Sequence, residues 1–200
     1  LKEPGPEGAC DLAVQLGMTE TIPTLLDLRT SADESVRRAA GMALVRFGRK
    51  EGLEAVVPLL EGKKGWWMTN FLGESGLPEA ADVFRERLKK GKLTVDAAPA
   101  LASLGVKEAI PLLRTWLDAG WESHRVLAVE ALGVLGDREW VPALRRILRE
   151  DWPAARAAAA RALAGLGAKE SVEEFLPLLR ERDPRNVETA VEALVAREAT

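Results

Sequence analysis

The chain has 200 residues, 47% of them apolar and 30% charged, which is too apolar for a disordered polymer and ordinary for a soluble globular protein. Its 28 basic and 31 acidic side chains leave a net charge of -3, so no global field draws it to nucleic acid or anionic lipid, and such binding would need a local patch. Cys10 is the sole cysteine, which excludes an intrachain disulfide and suits a reducing, cytoplasmic setting. No apolar run approaches the roughly 18 residues needed to span a bilayer.

A loose segment, 1–6, opens the chain; its start at Leu1 and the run KEPGPEG suggest that an upstream segment is missing. A lone helix follows over 7–17, ended by Gly17. Then come helix pairs at about 19–48, 50–76, 78–105, 107–136, 138–167 and 169–198, closed in turn by Gly48, Gly76, Gly105, Gly136 and Gly167, with an uncapped last pair. The glycines recur at spacings of 31, 28, 29, 31 and 31 residues, so the chain reads as one tandem-repeat domain over 1–200.

Each unit repeats the same physics. Before the glycine, ESVRRAAGMALVRFG, ESHRVLAVEALGVLG and PAARAAAARALAGLG each form one helix whose apolar residues stand one, four, five and eight positions back. Phe47, Leu44, Ala43 and Ala40 make that stripe in the unit closed by Gly48, an Ala-rich face that lets helices approach closely. The glycine ends the helix in the left-handed conformation. After it, Pro23, Pro111 and Pro142 stand in the first turn of the next helix, where the missing N–H has no intrahelical partner to lose. Glu20, Glu51, Glu79, Glu108, Glu139 and Glu170 each fall three past the glycine and favour the positive end of the helix dipole. Pro58 and Pro177 come four residues later than the other prolines and predict kinked or late-starting helices. Arg114, Arg145 and Arg149 are expected on solvated faces.

The early proline, the turn Asp, the Val-Arg step and the Ala-Leu-Gly-Leu-Gly ending resemble HEAT repeats, in the short form of phycobilisome-lyase-type HEAT-like proteins. The resemblance covers almost the whole chain and implies an all-α solenoid of about six antiparallel helix pairs. It also implies an inter-repeat ladder in which Arg37, Arg125 and Arg156, eleven before their glycines, bond the turn residues Asp33, Asp118 and Asp151. The pattern lapses at Gly65–Trp66, at Thr94–Val95 and at Val187.

Catalytic and metal chemistry find little support in the residues. His124 and Cys10 are single and lie far apart in the array, so a Cys/His metal site or nucleophile couple is not assembled from them. His124 reads as a partly buried structural residue and Cys10 as a small core residue. Phosphate-loop motifs are absent, and no cofactor or metal is implied.

The short third unit, EGKKGWWMTNFLGESG, breaks the stripe with Ser75 and places Trp66 and Trp67 at its helix start. Helical projection sets Trp66, Asn70 and Gly73 along one line, flanked by Trp67 and Glu74. In the resembled family that side faces the concave groove. Arg38, Met42 and Arg46 adjoin it on one side and Val95, Asp96, Pro99 and Ser103 on the other, with Pro99 expected to bend its helix. A protein or peptide is the expected occupant, anchored by the indoles, with the chain as a non-catalytic scaffold. A second grouping lies on the ridge of turns: Lys63, Lys64, Lys89, Lys90, Lys92, Trp121 and Trp152. It is suited to an anionic partner, and Trp140 near a helix start adds a further sticky residue.

Two other readings come with the resemblance. One is nucleic-acid binding, including activity like that of HEAT-like alkylpurine DNA glycosylases, to whose Trp and Asp set Trp66, Trp67 and Asp96 are similar in type. No motif carries those roles over, and the acidic balance disfavours phosphate. The other is a bilin-lyase-like subunit. Oligomeric state stays open, since the last helix, NVETAVEALVAR, could cap the array or dock a partner.

Overall fold

A computed structural model describes residues 6–62, 65–118, 121–150 and 152–167, with isolated positions beyond 178. Lys63, Lys64, Asp151 and nearly all of the pair expected at 169–198 lie outside the described residues. The chain is all-α, a repeat fold of the solenoid class, with no strand among the described residues. It divides into two compact units, Leu1–Gly91 and Lys92–Thr200.

The first unit holds α1 (Pro6–Gln15), α2 (Ile22–Leu28), α3 (Glu34–Arg46), α4 (Leu53–Val56), α5 (Gly65–Glu74) and α6 (Pro78–Lys89). Here α3 packs against α1, α2 and α4. Its Ala39, Ala40, Ala43 and Leu44 form a core with Cys10 and Leu25, lined by Val14, Ile22 and Phe47. The second unit holds α7 (Ala98–Ser103), α8 (Ile110–Leu117), α9 (Glu122–Leu135), α10 (Val141–Glu150) and α11 (Pro153–Gly165). In it α9 packs against α7, α8 and α11, and α10 against α11.

All six repeat glycines have positive φ, from 62° at Gly167 to 77° at Gly136, so each closes its helix as the spacing predicts. The Gly48 N–H donates to Val45 O at 2.9 Å and the Arg49 N–H to Leu44 O at 2.8 Å, the paired bonds of a Schellman turn. Gly17, Gly105 and Gly136 repeat the arrangement, with Met18, Val106 and Asp137 donating back to Ala13, Leu101 and Leu132. The short unit differs. There Ser75 Oγ donates to Leu72 O at 2.7 Å and accepts the Leu77 N–H at 3.2 Å, so the hydroxyl that interrupts the apolar stripe also finishes the helix.

Behind Pro23, Pro111 and Pro142 the chain makes one 3₁₀ turn, at Thr19–Thr21, Lys107–Ala109 and Arg138–Trp140, before the α-helix begins. Pro58 follows a different course: α4 is only four residues long and passes directly into a 3₁₀ segment, Val57–Glu61. Pro99 corrects the sequence reading. It stands in the first turn of α7, after the 3₁₀ turn Val95–Ala97, so it starts a helix instead of bending one.

The Asp33–Arg37 rung of the expected Arg–Asp ladder is redrawn. Asp33 caps α3, accepting from Ser35 N at 2.8 Å and Val36 N at 3.4 Å, while Arg37 Nη1 donates to the Ser31 carbonyl at 2.6 Å. A carboxylate beside free N–H groups at a helix start is better used there than on a side chain.

Close backbone approach sets the spacing within each unit. A Cβ on Gly133 of α9 would fall 2.6 Å from Ala162 Cβ and 2.8 Å from Ala162 Cα on α11, whereas one on Gly165 would meet nothing within 4 Å. Gly133→Ala should therefore destabilise the protein by about 1–3 kcal/mol, because backbone must shift. Gly165→Ala should stabilise it by up to about 1 kcal/mol, since only backbone entropy changes. Thermal unfolding of the two variants checks the opposite signs.

Candidate functional site

Gly65 begins α5 where other repeats carry the arginine, and a Cβ there would lie 2.3 Å from Leu60 O. The shortened connection thus admits no side chain at the arginine position. It delivers Trp66 and Trp67 at the head of the helix. The inner face of α5 is Met68, Phe71, Leu72 and Gly73, all buried. Gly73 therefore does not share an open line with Trp66 and Asn70 as projected: Trp66 is 59% exposed, Asn70 half-buried and Gly73 buried.

The two indoles differ in environment. Trp67 is 40% exposed and stacks on Phe71, with ring centroids 6.1 Å apart and planes 21° from parallel. The guanidinium of Arg46, on α3, lies over the Phe71 ring at 5.5 Å and pairs with Asp11 of α1 at 2.6 Å. Three helices of one unit are tied by this sequence of contacts, Asp11 to Arg46 to Phe71 to Trp67. Trp66 stands beside it. Arg38 and Met42 of α3 are half-buried and Glu74 is exposed. Phe71 and Asp11 went unrecognised in the sequence, although Phe71 follows Trp67 by four residues, the helical spacing at which side chains meet.

The groove residues expected past Gly91 belong to the second unit. Asp96 and Pro99 are exposed, whereas Val95 is buried and Ser103 Oγ donates to Ala100 O. Along the ridge, Lys89 and Lys90 both face Glu86, at 3.1 Å and 3.9 Å. Trp121, 69% exposed, tilts against the half-buried His124. Trp152 lies under the Arg125 guanidinium at 5.0 Å. Burial pushes the Cys10 thiol up, and Asp11 adds to the shift, so at neutral pH it is a poor nucleophile.

Arg114 overturns its assignment to a solvated face. Its Nε and Nη2 donate to the Asp137 carboxylate at 3.2 and 2.8 Å, and Nη2 also reaches Glu139 at 3.3 Å. The guanidinium lies 5.4 Å from the Trp140 ring centroid. Hydrogen bonding to Asp137 raises the Arg114 pKa further. Asp137 is 8% exposed at the position after the glycine, where Val106 and Leu77 are buried apolar residues. A carboxylate at that register was the signal available in the sequence.

No group of three or more His, Cys, Asp or Glu among the described residues is placed to hold a metal ion. No described helix is long and apolar enough to cross a membrane.

The sequence model of a family described as HEAT repeats matches residues 22–98 and 90–164, and that of the PBS lyase HEAT-like repeat matches 155–181. No curated protein matches the chain. Among solved structures, one engineered protein is similar at 19% identity, with a TM-score of 0.53, over 89% of this chain and 96% of its own. A second engineered protein is similar at 21% identity, with a TM-score of 0.55, over 96% of this chain and 61% of its own. These likenesses show the fold alone.

Removing Arg114 would leave a nearly buried carboxylate without its counter-charge. Arg114→Met should cost about 2 kcal/mol, below the usual cost of breaking a fully buried pair because the Arg114 side chain keeps 32% of its exposure. The double variant Arg114→Met with Asp137→Val, which places at 137 the residue type found at 106, should recover most of that loss. Urea denaturation of the single and double variants checks both.

Proposed function

The chain belongs to the HEAT-repeat family, and from that premise we propose that it is a non-catalytic scaffold that captures a partner protein or peptide on the α3–α5 surface of its first unit. The observation carrying this reading is Trp66, a large indole 59% exposed next to an indole held in place by the Phe71, Arg46 and Asp11 contacts. A packed aromatic platform beside an open aromatic anchor gives up less side-chain freedom on binding than unpacked side chains do, and Trp and Arg dominate interface hot spots. Arg38, Asn70 and Glu74 supply polar groups at its edge and orient what the indole anchors. Asp96, on the second unit, is left out of the proposed surface. A cytoplasmic setting belongs to the same reading.

The nucleic-acid reading gains nothing from the described ridge, where Glu86 faces both Lys89 and Lys90 and the net charge is -3.

Affinity capture from cell lysate separates the two tryptophans. Trp66→Ala should leave the melting temperature unchanged and lower retention of the bound partner by about tenfold or more, the effect of a hot-spot residue. Trp67→Ala should also lower the stability, by about 1 kcal/mol for the lost ring pair. An unchanged set of captured proteins with Trp66→Ala, the fold being intact, would overturn the assignment.

A further inference from the structure

The helix that closes each repeat carries an apolar stripe one, four, five and eight residues before its glycine. In α3, Ala40, Ala43 and Leu44 of that stripe are buried in a core with Leu25 of the same pair and Cys10 of α1, the helix before it. In α9 the stripe is Ala128, Ala131, Leu132 and Leu135, and in α11 it is Ala159, Ala162, Leu163 and Leu166, all buried. Ala162, five before Gly167, meets Gly133 of α9, so this register faces the preceding repeat.

The same registers on α1, counted from Gly17, hold Ala9, Leu12, Ala13 and Leu16. Ala13 is buried, but Ala9 is exposed, Leu12 is 47% exposed and Leu16 65%. Two leucines at helical spacing thus stand open on the face that α3, α9 and α11 cover with the repeat before them.

A second pair of registers faces the following repeat. Gly133 stands three before its glycine, and Gly41 seven before, where a Cβ would fall 2.6 Å from Ala55 Cβ of α4. Val45 and Val129 occupy these registers elsewhere and are fully buried. Val187 takes the arginine register, eleven before 198, which puts Val191 and Val195 at seven and three. Both are helical, and they are 47% and 63% exposed. Two valines of the second unit therefore present the face that a following repeat covers. In the α3 and α5 repeats the registers three and five before the glycine carry Val45 and Phe71, both buried, so they take bulky apolar residues as well as the Gly133–Ala162 approach.

We propose that the chain stacks head to tail on a second copy of itself, with Val191 and Val195 of one copy packed on Leu12 and Leu16 of the next as one repeat packs on another. The contact continues the interface that already joins successive repeats, at the registers that Gly133 and Ala162 use. It pairs two different surfaces, so each added copy leaves one head and one tail open, and the assembly extends beyond a dimer. The contact is separate from the Trp66 surface and does not rest on it.

Sedimentation of the full chain from micromolar to near-millimolar concentration tests the stacking. The average mass should climb with concentration past that of a dimer. Leu12→Glu and Val195→Glu, each at an exposed position, should both weaken association by at least about tenfold, because the contact would bury a carboxylate without a counter-charge. Mixed in equal amounts, the two variants should form a heterodimer and stop there: the first keeps an intact tail, the second an intact head. Misfolding of either variant could not produce that recovery. A monomer at all concentrations would overturn the proposal. So would association that survives in either variant alone, the mark of one face pairing with itself, or a mixture that stays monomeric. Trp66→Ala should leave the assembly unchanged, and its loss in that variant would place the contact on the Trp66 surface instead.

Discussion

The left-handed turn after each repeat helix is the constraint on which the rest of the structure depends. By reversing the chain within one residue, it turns the following N–H back to the helix end and directs the next side chain inward. Val106 and Leu77 occupy that inward place as apolar residues, and no charge is buried at those turns. Asp137 occupies it as a carboxylate. Burying that charge is tolerable only with a partner, and Arg114 supplies one from the preceding helix. The guanidinium in turn covers Trp140, so a single backbone reversal positions both the ion pair and the indole. In the first unit Arg49 takes the same place and meets Glu51 at 2.8 Å, a polar solution built from one turn.

Most of the fold was legible in the sequence because it rests on residues with few conformational alternatives. Glycine at the left-handed position and proline in the first turn are nearly obligatory choices, and both recur in register. What was not legible depends on where long side chains reach. Arg114 looks like any solvated arginine until the chain is folded and Asp137 is found within hydrogen-bonding distance. Pro99 misled for a related reason. Helix periodicity extends through residues 95–97, which the chain winds as a 3₁₀ turn, and a proline that seemed internal is instead initial.

The candidate site was half legible. The tryptophan pair stood out against the repeat, and the structure keeps both indoles at the surface. Periodicity could not show that they differ, because the difference arises from Phe71 and from Arg46 on another helix. Nor could it show that Gly65 is required by the Leu60 carbonyl. One interval holds both the departure from the repeat and the exposed aromatic surface, since Gly65, which has no room for a side chain, directly precedes the indoles at 66 and 67.

The 3₁₀ segment Val57–Glu61 bears on the length of that interval. Five residues at about 2.0 Å each cover about 10 Å, against about 7.5 Å in an α-helix. The Gly48-to-Gly76 interval has 28 residues where the longest intervals have 31. Overwinding thus returns about 2.5 Å of reach to a repeat short by three residues, so the third unit is a stretched repeat as well as a truncated one. Its conformation at Pro58 is part of how the shorter spacing is spanned.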